Sequence, residues 1–176
     1  MVDPDERKTL LFLGDLDERH GADLLLRAMP NVLRHHPQAR LVLVGDGPLG
    51  EALAAYSRYL RLEEVVSFLP WQPLPDLDGV VQSADIVLIP GRQPVSSDAL
   101  VKAWAARKPV IATHEAASGF AEHEVDALLV YPSENSIAAA ILRILGDATL
   151  SRKLGEAGHQ SLLDRFPNFP AGHVGP

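Results

Sequence analysis

Apolar positions along the chain fall into two alternating kinds of segment. Short runs, nearly free of polar residues, occur at Thr9–Leu13, Arg40–Val44, Val65–Leu69, Asp85–Ile89, Pro109–Thr113 and Ala127–Val130. Their length and their branched or leucine-rich make-up predict strands. The longer segments between them repeat at helical period. Leu49, Leu53, Tyr56 and Leu60 share one stripe, and Ile137, Ile141, Ile144 and Leu145 share another, as expected of core-facing helix sides. Strands alternating with crossover helices predict a parallel sheet. Because the strand runs are apolar without alternation, both faces of that sheet should be covered. The expected fold class is therefore α/β, a Rossmann-like parallel six-stranded sheet with helices on both faces.

Proline and glycine punctuate this pattern. Pro30 interrupts the helical segment after the first strand, which predicts a kink or early break there. Pro70 to Asp78 holds three prolines and reads as a loop before a short helix. The end of the chain, with Pro167, Pro170, Gly172, Gly175 and Pro176, reads as an irregular tail. The expected layout is an N-terminal extension at 1–8, one domain at 9–166 and a tail at 167–176. No internal repeat is visible.

Composition narrows the function classes. A chain of 176 residues with 47% hydrophobic content has room for one domain with a two-sided core. Its 16 basic and 23 acidic residues give a net charge of -7, so no broad positive field is offered to nucleic acid. The chain has no cysteine, which removes disulfides and thiolate metal sites and fits a reducing, cytoplasmic setting. Met1 to Thr9 is charged and lacks the apolar centre of a signal peptide. The longest apolar run, Ile137 to Leu145, contains Arg143 and is far short of the ~18 to 20 residues that span a bilayer. No transmembrane segment is expected. The seven histidines show no metal-ligand spacing, since His35 and His36 are adjacent and His114-Glu115 lacks a second histidine at the needed offset. No metal site is expected.

The motifs that carry chemistry sit at the strand ends. In order they are GDLDERHG at 14–21, HPQARLVLVGDGP at 36–48, SADIVLIP at 83–90, KPVIAT at 108–113 and ALLV at 127–130. Their order and spacing resemble the C-terminal donor-binding domain of the GT-B fold glycosyltransferases of family 4, the group 1 glycosyl transferases. The resemblance implies a domain that grips the nucleoside diphosphate of an activated sugar for retaining glycosyl transfer. It implies no cofactor, a nucleoside-diphosphate sugar as donor substrate, and an N-terminal acceptor domain as partner. That partner domain would be a missing half, because the pattern begins within the first dozen residues.

Several residues then become candidates for nucleotide-sugar binding. Gly14 and Gly21 bracket a loop leading to a helix start, where backbone N–H groups can hold a diphosphate. His20 could donate one hydrogen bond, or be an ordinary exposed loop histidine. Gly45, Asp46 and Gly47 permit close approach of a ligand, and equally make a plain strand-to-helix turn. Ser96 and Ser97 suit a helix cap better than a phosphate contact. Lys102 completes the candidates. The resemblance assigns no catalytic residue to this chain, because its charged positions are replaced. Asp15 and His20 stand where basic residues are implied, and Pro94 and Lys102 stand where two glutamates are implied. Arg107, Glu124 and Pro70 stand where glycines are implied. A carboxylate beside a diphosphate repels it by on the order of 1 kcal/mol in water and several times that in a partly buried cleft.

Arg92, Lys102, Arg107 and Lys108 lie near the fourth and fifth strand ends and form either a new anion site or a solvated face. The functions that follow are a donor-binding half of a transferase, a non-catalytic pseudo-glycosyltransferase module that binds a protein partner, and a domain with a different anionic ligand.

Overall fold

The computed structural model describes residues 6–72 and 76–169. Most of the expected tail, part of the expected N-terminal extension and Pro73–Pro75 of the proline-rich loop lie outside the described residues. Six parallel strands, β1 (Lys8–Leu13), β2 (Ala39–Val44), β3 (Val66–Leu69), β4 (Ile86–Ile89), β5 (Val110–Thr113) and β6 (Leu128–Val130), form one sheet in the order β3-β2-β1-β4-β5-β6. Each lies within a residue of the run that predicted it. The order reverses at β1, so the chain grows outward to one edge through β3 and then to the other through β6.

Helices α1 (Ala22–His35), α2 (Gly50–Tyr59), α3 (Leu77–Ser83), α4 (Asp98–Ala105), α5 (Glu134–Leu145) and α6 (Ala148–Arg165) connect and cover the strands. The period of two along β1 shows how one strand serves two cores. Leu10 and Phe12 pack in one layer with α1 and α5, whereas Leu11 and Leu13 pack in the other with α3 and α4. Both faces are buried, which is why the strands carry no polar alternation. The longest helix, α6, crosses from one layer to the other, with Leu154 in the first core and Leu162 in the second.

Local chemistry sets several helix starts. Asp76 accepts a bond from the Gly79 amide at α3, Ser133 from the Ser136 amide at α5, and Asp147 from the Leu150 amide at α6. The break expected at Pro30 does not occur, because α1 runs through it to His35. Pro30 is exposed while Ala28, Met29 and Val32 beside it are buried. The burial of that stripe outweighs the one backbone bond that proline removes.

Candidate functional site

In an open parallel sheet, ligands bind beyond the carboxyl ends of the strands where the strand order reverses. Here that point lies between β1 and β4. A cleft of about 270 Å³ opens there, reached by Leu13 and Gly14 from the end of β1 and by Ile89 from β4. Loop residues Asp15 and His20 form one wall, and Ser96, Asp98 and Lys102 bring the start of α4 to the other. Trp71, just after β3, closes the side. Of the candidates read from the sequence, Gly14, His20, Ser96 and Lys102 therefore meet in one place.

The remaining candidates support this cleft from outside it. Gly21 is the N-cap of α1 at φ 73°, and any side chain there would overlap the Pro90 carbonyl. It lets α1 begin against the end of β4. Gly45 allows β2 to leave the sheet in contact with the Gly14 carbonyl, a space no Cβ could share. Gly47 packs on the backbone of Leu16. Asp46 has a more specific task. Its carbonyl accepts the Leu16 amide at 2.9 Å and its carboxylate accepts the Trp71 amide at 2.8 Å, so one residue ties the β1 loop to the segment bearing the tryptophan. Ser97 is the N-cap residue of α4 without a side-chain capping bond, while the Ser96 hydroxyl accepts the Asp98 amide at 3.2 Å. The capping role thus falls to the earlier serine.

The β1 loop is held by its own side chains. Asp17 accepts the His20 amide at 2.9 Å and the His20 ring Nδ1–H at 2.7 Å. Partial burial opposes the Asp17 charge, yet these His20 bonds together keep its carboxyl below the usual range. Ligand atoms of Asp15, Asp17 and His20 all lie within 4.8 Å of one another. The histidine spacing considered in the sequence passes over this group, because two of its members are carboxylates and the loop turn brings them together. The Asp17 to His20 contact is an internal brace of the loop.

The four basic residues near the fourth and fifth strand ends do not converge. Arg92 is engaged by Asp23 through two bonds of 2.7 Å. Arg107 and Lys108 lie at the opposite, amino-terminal edge of the sheet, where the Lys108 ammonium donates to the Gln82 carbonyl at 2.6 Å. Only Lys102 of the four reaches the cleft. Pro94 is exposed. Arg107 and Glu124 have φ of 55° and 62°, left-handed conformations at two of the three positions where the resemblance implies glycine.

Trp71 is the cleft residue that sequence reasoning missed. Its side chain is 41% exposed, whereas Trp104 is 2% exposed in the core. The signal was a tryptophan directly after the strand-ending Pro70, where an aromatic has no core to fill.

Comparison with known proteins agrees with this fold. A family profile described as "Glycosyl transferases group 1" matches residues 7–147. An uncharacterized glycosyltransferase of Methanocaldococcus jannaschii is 34% identical over 147 residues, covering 81% of this chain and 37% of its own length. The chain thus spans well under half of that relative. Among solved structures, the C-terminal domain of the group 1 family glycosyl transferase LpcC from Francisella tularensis superposes with a TM-score of 0.82 at 18% identity, covering 94% of this chain and 89% of that one. Anabaena HepE in complex with UDP-glucose superposes with a TM-score of 0.81 at 23% identity, covering 91% and 45%. Among the described residues no helix is long and apolar enough to cross a membrane.

Proposed function

The chain belongs to the group 1 glycosyltransferases, and from that premise we propose that it is a donor-side domain that holds a nucleoside-diphosphate sugar in the cleft between β1 and β4. The observation that carries the reading is the meeting of the Gly14 loop, Ser96, Lys102 and Trp71 around one 270 Å³ space at the strand-order reversal. Trp71 offers an aromatic face to the base. Lys102 is the cation for the diphosphate, acting as a point charge with three donors. The HepE complex with UDP-glucose, which shares the fold, supports this choice of ligand class. Retaining transfer to an acceptor calls for an acceptor-side domain as the partner of this one.

A second reading has its own observation. Asp15 and Asp98 both border the cleft, and two carboxylates oppose a diphosphate. Together with Pro94 and Lys102 in place of the implied glutamates, they favour a pseudo-glycosyltransferase module that binds a protein partner.

A thermal-shift titration with UDP, GDP, ADP and their sugar conjugates separates the two. Ligand at about 100 times its Kd adds ~2.7 kcal/mol, or roughly 5 to 10 °C for a chain of this length. A shift with one nucleotide identifies the donor base. Absence of any shift at millimolar ligand removes the first reading. If the variant Asp15→Arg, Pro94→Glu, Lys102→Glu then gains nucleotide affinity, the pseudo-enzyme account holds.

A further inference from the structure

A cavity of about 480 Å³ lies at the amino-terminal edge of the sheet, away from the cleft. Its floor is apolar, built from Ile86, Pro109, Ile144 and Leu145. Four basic side chains, Lys8, Arg107, Lys108 and Arg152, surround it, against two acids, Glu6 and Asp85. In a chain with a net charge of -7, such a local excess of positive charge calls for a cause.

The acids offset only part of it. Glu6 is engaged by Lys8 at 2.8 Å, and Asp85 accepts the Thr9 amide at 2.7 Å. Among the described residues Arg107, Lys108 and Arg152 have no carboxylate partner within ion-pair distance. Lys108 has only the Gln82 carbonyl, and burial lowers its pKa from the usual lysine value despite the nearby Asp85. Arg107 adds an independent sign. It occupies a left-handed backbone conformation at φ 55°, where glycine would be unstrained, so the chain holds an arginine at this edge against a local cost. Ser151 and Arg152 of α6 line the same cavity.

We propose that this edge cavity binds a small soluble phosphate ester or phosphate ion, with the guanidinium groups of Arg107 and Arg152, the Lys108 ammonium and the Ser151 hydroxyl as its donors. Arginine forks suit phosphate oxygens bidentately, and the apolar floor accommodates the carbon skeleton of an ester. The site is separate from the donor cleft and does not depend on how that cleft is read.

The test is a titration of the isotope-labelled chain with inorganic phosphate, followed residue by residue by NMR. The expected result is a saturable shift of the Lys108, Ser151 and Arg152 amides with those of Gly14 and His20 unmoved. The affinity should fall as sodium chloride rises, as a charge-driven contact must. The variant Arg107→Gly, Arg152→Ala should bind more than about tenfold more weakly. Since Arg107→Gly relieves the backbone, that variant keeps its fold, and its dispersed spectrum checks this. Absence of saturable shifts at the edge up to tens of millimolar phosphate overturns the proposal, as does equal affinity in the variant. Vesicles of phosphatidylcholine with phosphatidic acid form a second arm. Sedimentation with them, without any response to free phosphate, assigns the basic edge to a membrane surface and also overturns it.

Discussion

Arg92 grips Asp23 through two bonds of 2.7 Å each, fastening the loop after β4 onto the first turn of α1. The same guanidinium donates to the Glu18 carbonyl at 3.1 Å, so one side chain ties together both loops that flank the strand-order reversal. The position of the cleft walls depends on this clasp.

The clasp makes stability depend on pH. Half-burial opposes the Asp23 charge, but the Arg92 bonds and charge outweigh it and lower the carboxyl below its ordinary value of 3.8. A group with a depressed folded pKa contributes fully above its unfolded pKa and loses that contribution as pH falls through the folded value. Asp23→Asn should therefore cost about 1 to 2 kcal/mol at pH 7, discounted for the partly exposed arginine. Urea unfolding at pH 7 and again near pH 3 checks it, with the wild type converging on the variant in acid. An equal difference at both pH values means that the charge is not what holds the loop.

Relief of the left-handed backbone at Arg107 is expected to raise stability. Arg107→Gly should gain roughly 0.5 to 1 kcal/mol, the cost of a Cβ in this region less the added freedom of glycine in the unfolded chain. In a thermal melt that is an increase of about 1 to 4 °C. Arg107→Ala keeps the Cβ and should show no such gain; equal melting of the two variants refutes the strain argument.

Close approach of α6 to α4 rests on a missing side chain. A Cβ at Gly158 would overlap the indole of the buried Trp104, whose Nε1–H donates to the Asp126 carbonyl at 3.2 Å. Gly158→Ala is expected to destabilise by about 1 to 3 kcal/mol through overpacking. Gly50→Ala is the control, because a Cβ there would meet only Leu16 at an ordinary 3.6 Å. Chemical denaturation of both distinguishes steric overlap from a general intolerance of glycine replacement.

The two tryptophans allow an optical test of the cleft. Trp71 borders it and is exposed, while Trp104 is buried in the core. A nucleotide in the cleft should quench the Trp71 emission and leave Trp104 unchanged. Trp71→Ala should abolish the quenching and, by calorimetry, weaken binding by about fivefold, or ~1 kcal/mol. Undiminished quenching in that variant would place the nucleotide elsewhere.

Much of the fold was legible because parallel strands buried on both faces leave little choice of residue. Runs such as Leu10–Leu13 and Leu41–Val44 fit no exposed structure, so six strand positions could be read to within a residue. The early break read from Pro30 did not occur for a local reason: Pro30 sits on the exposed face of α1, opposite a buried stripe that carries the helix through it. The cleft was legible in part. Gly14, His20, Ser96 and Lys102 stood out as candidates, but Trp71 was passed over because its neighbours in space come from β1 and α4.

The sequence by itself determined the sheet, its two covering layers and the family, since these follow from periodicity and from motifs at strand ends. Tertiary structure alone decided which charges meet. Lys102 and Arg107 are five positions apart, yet one lines the donor-side cleft and the other the cavity at the far edge of the sheet. α4 runs from the carboxyl ends of the strands back towards their amino ends, and helix side chains lean towards the N-terminus. Lys102 within it therefore reaches back to the cleft, while Arg107, past its last residue Ala105, stands at the amino-terminal edge.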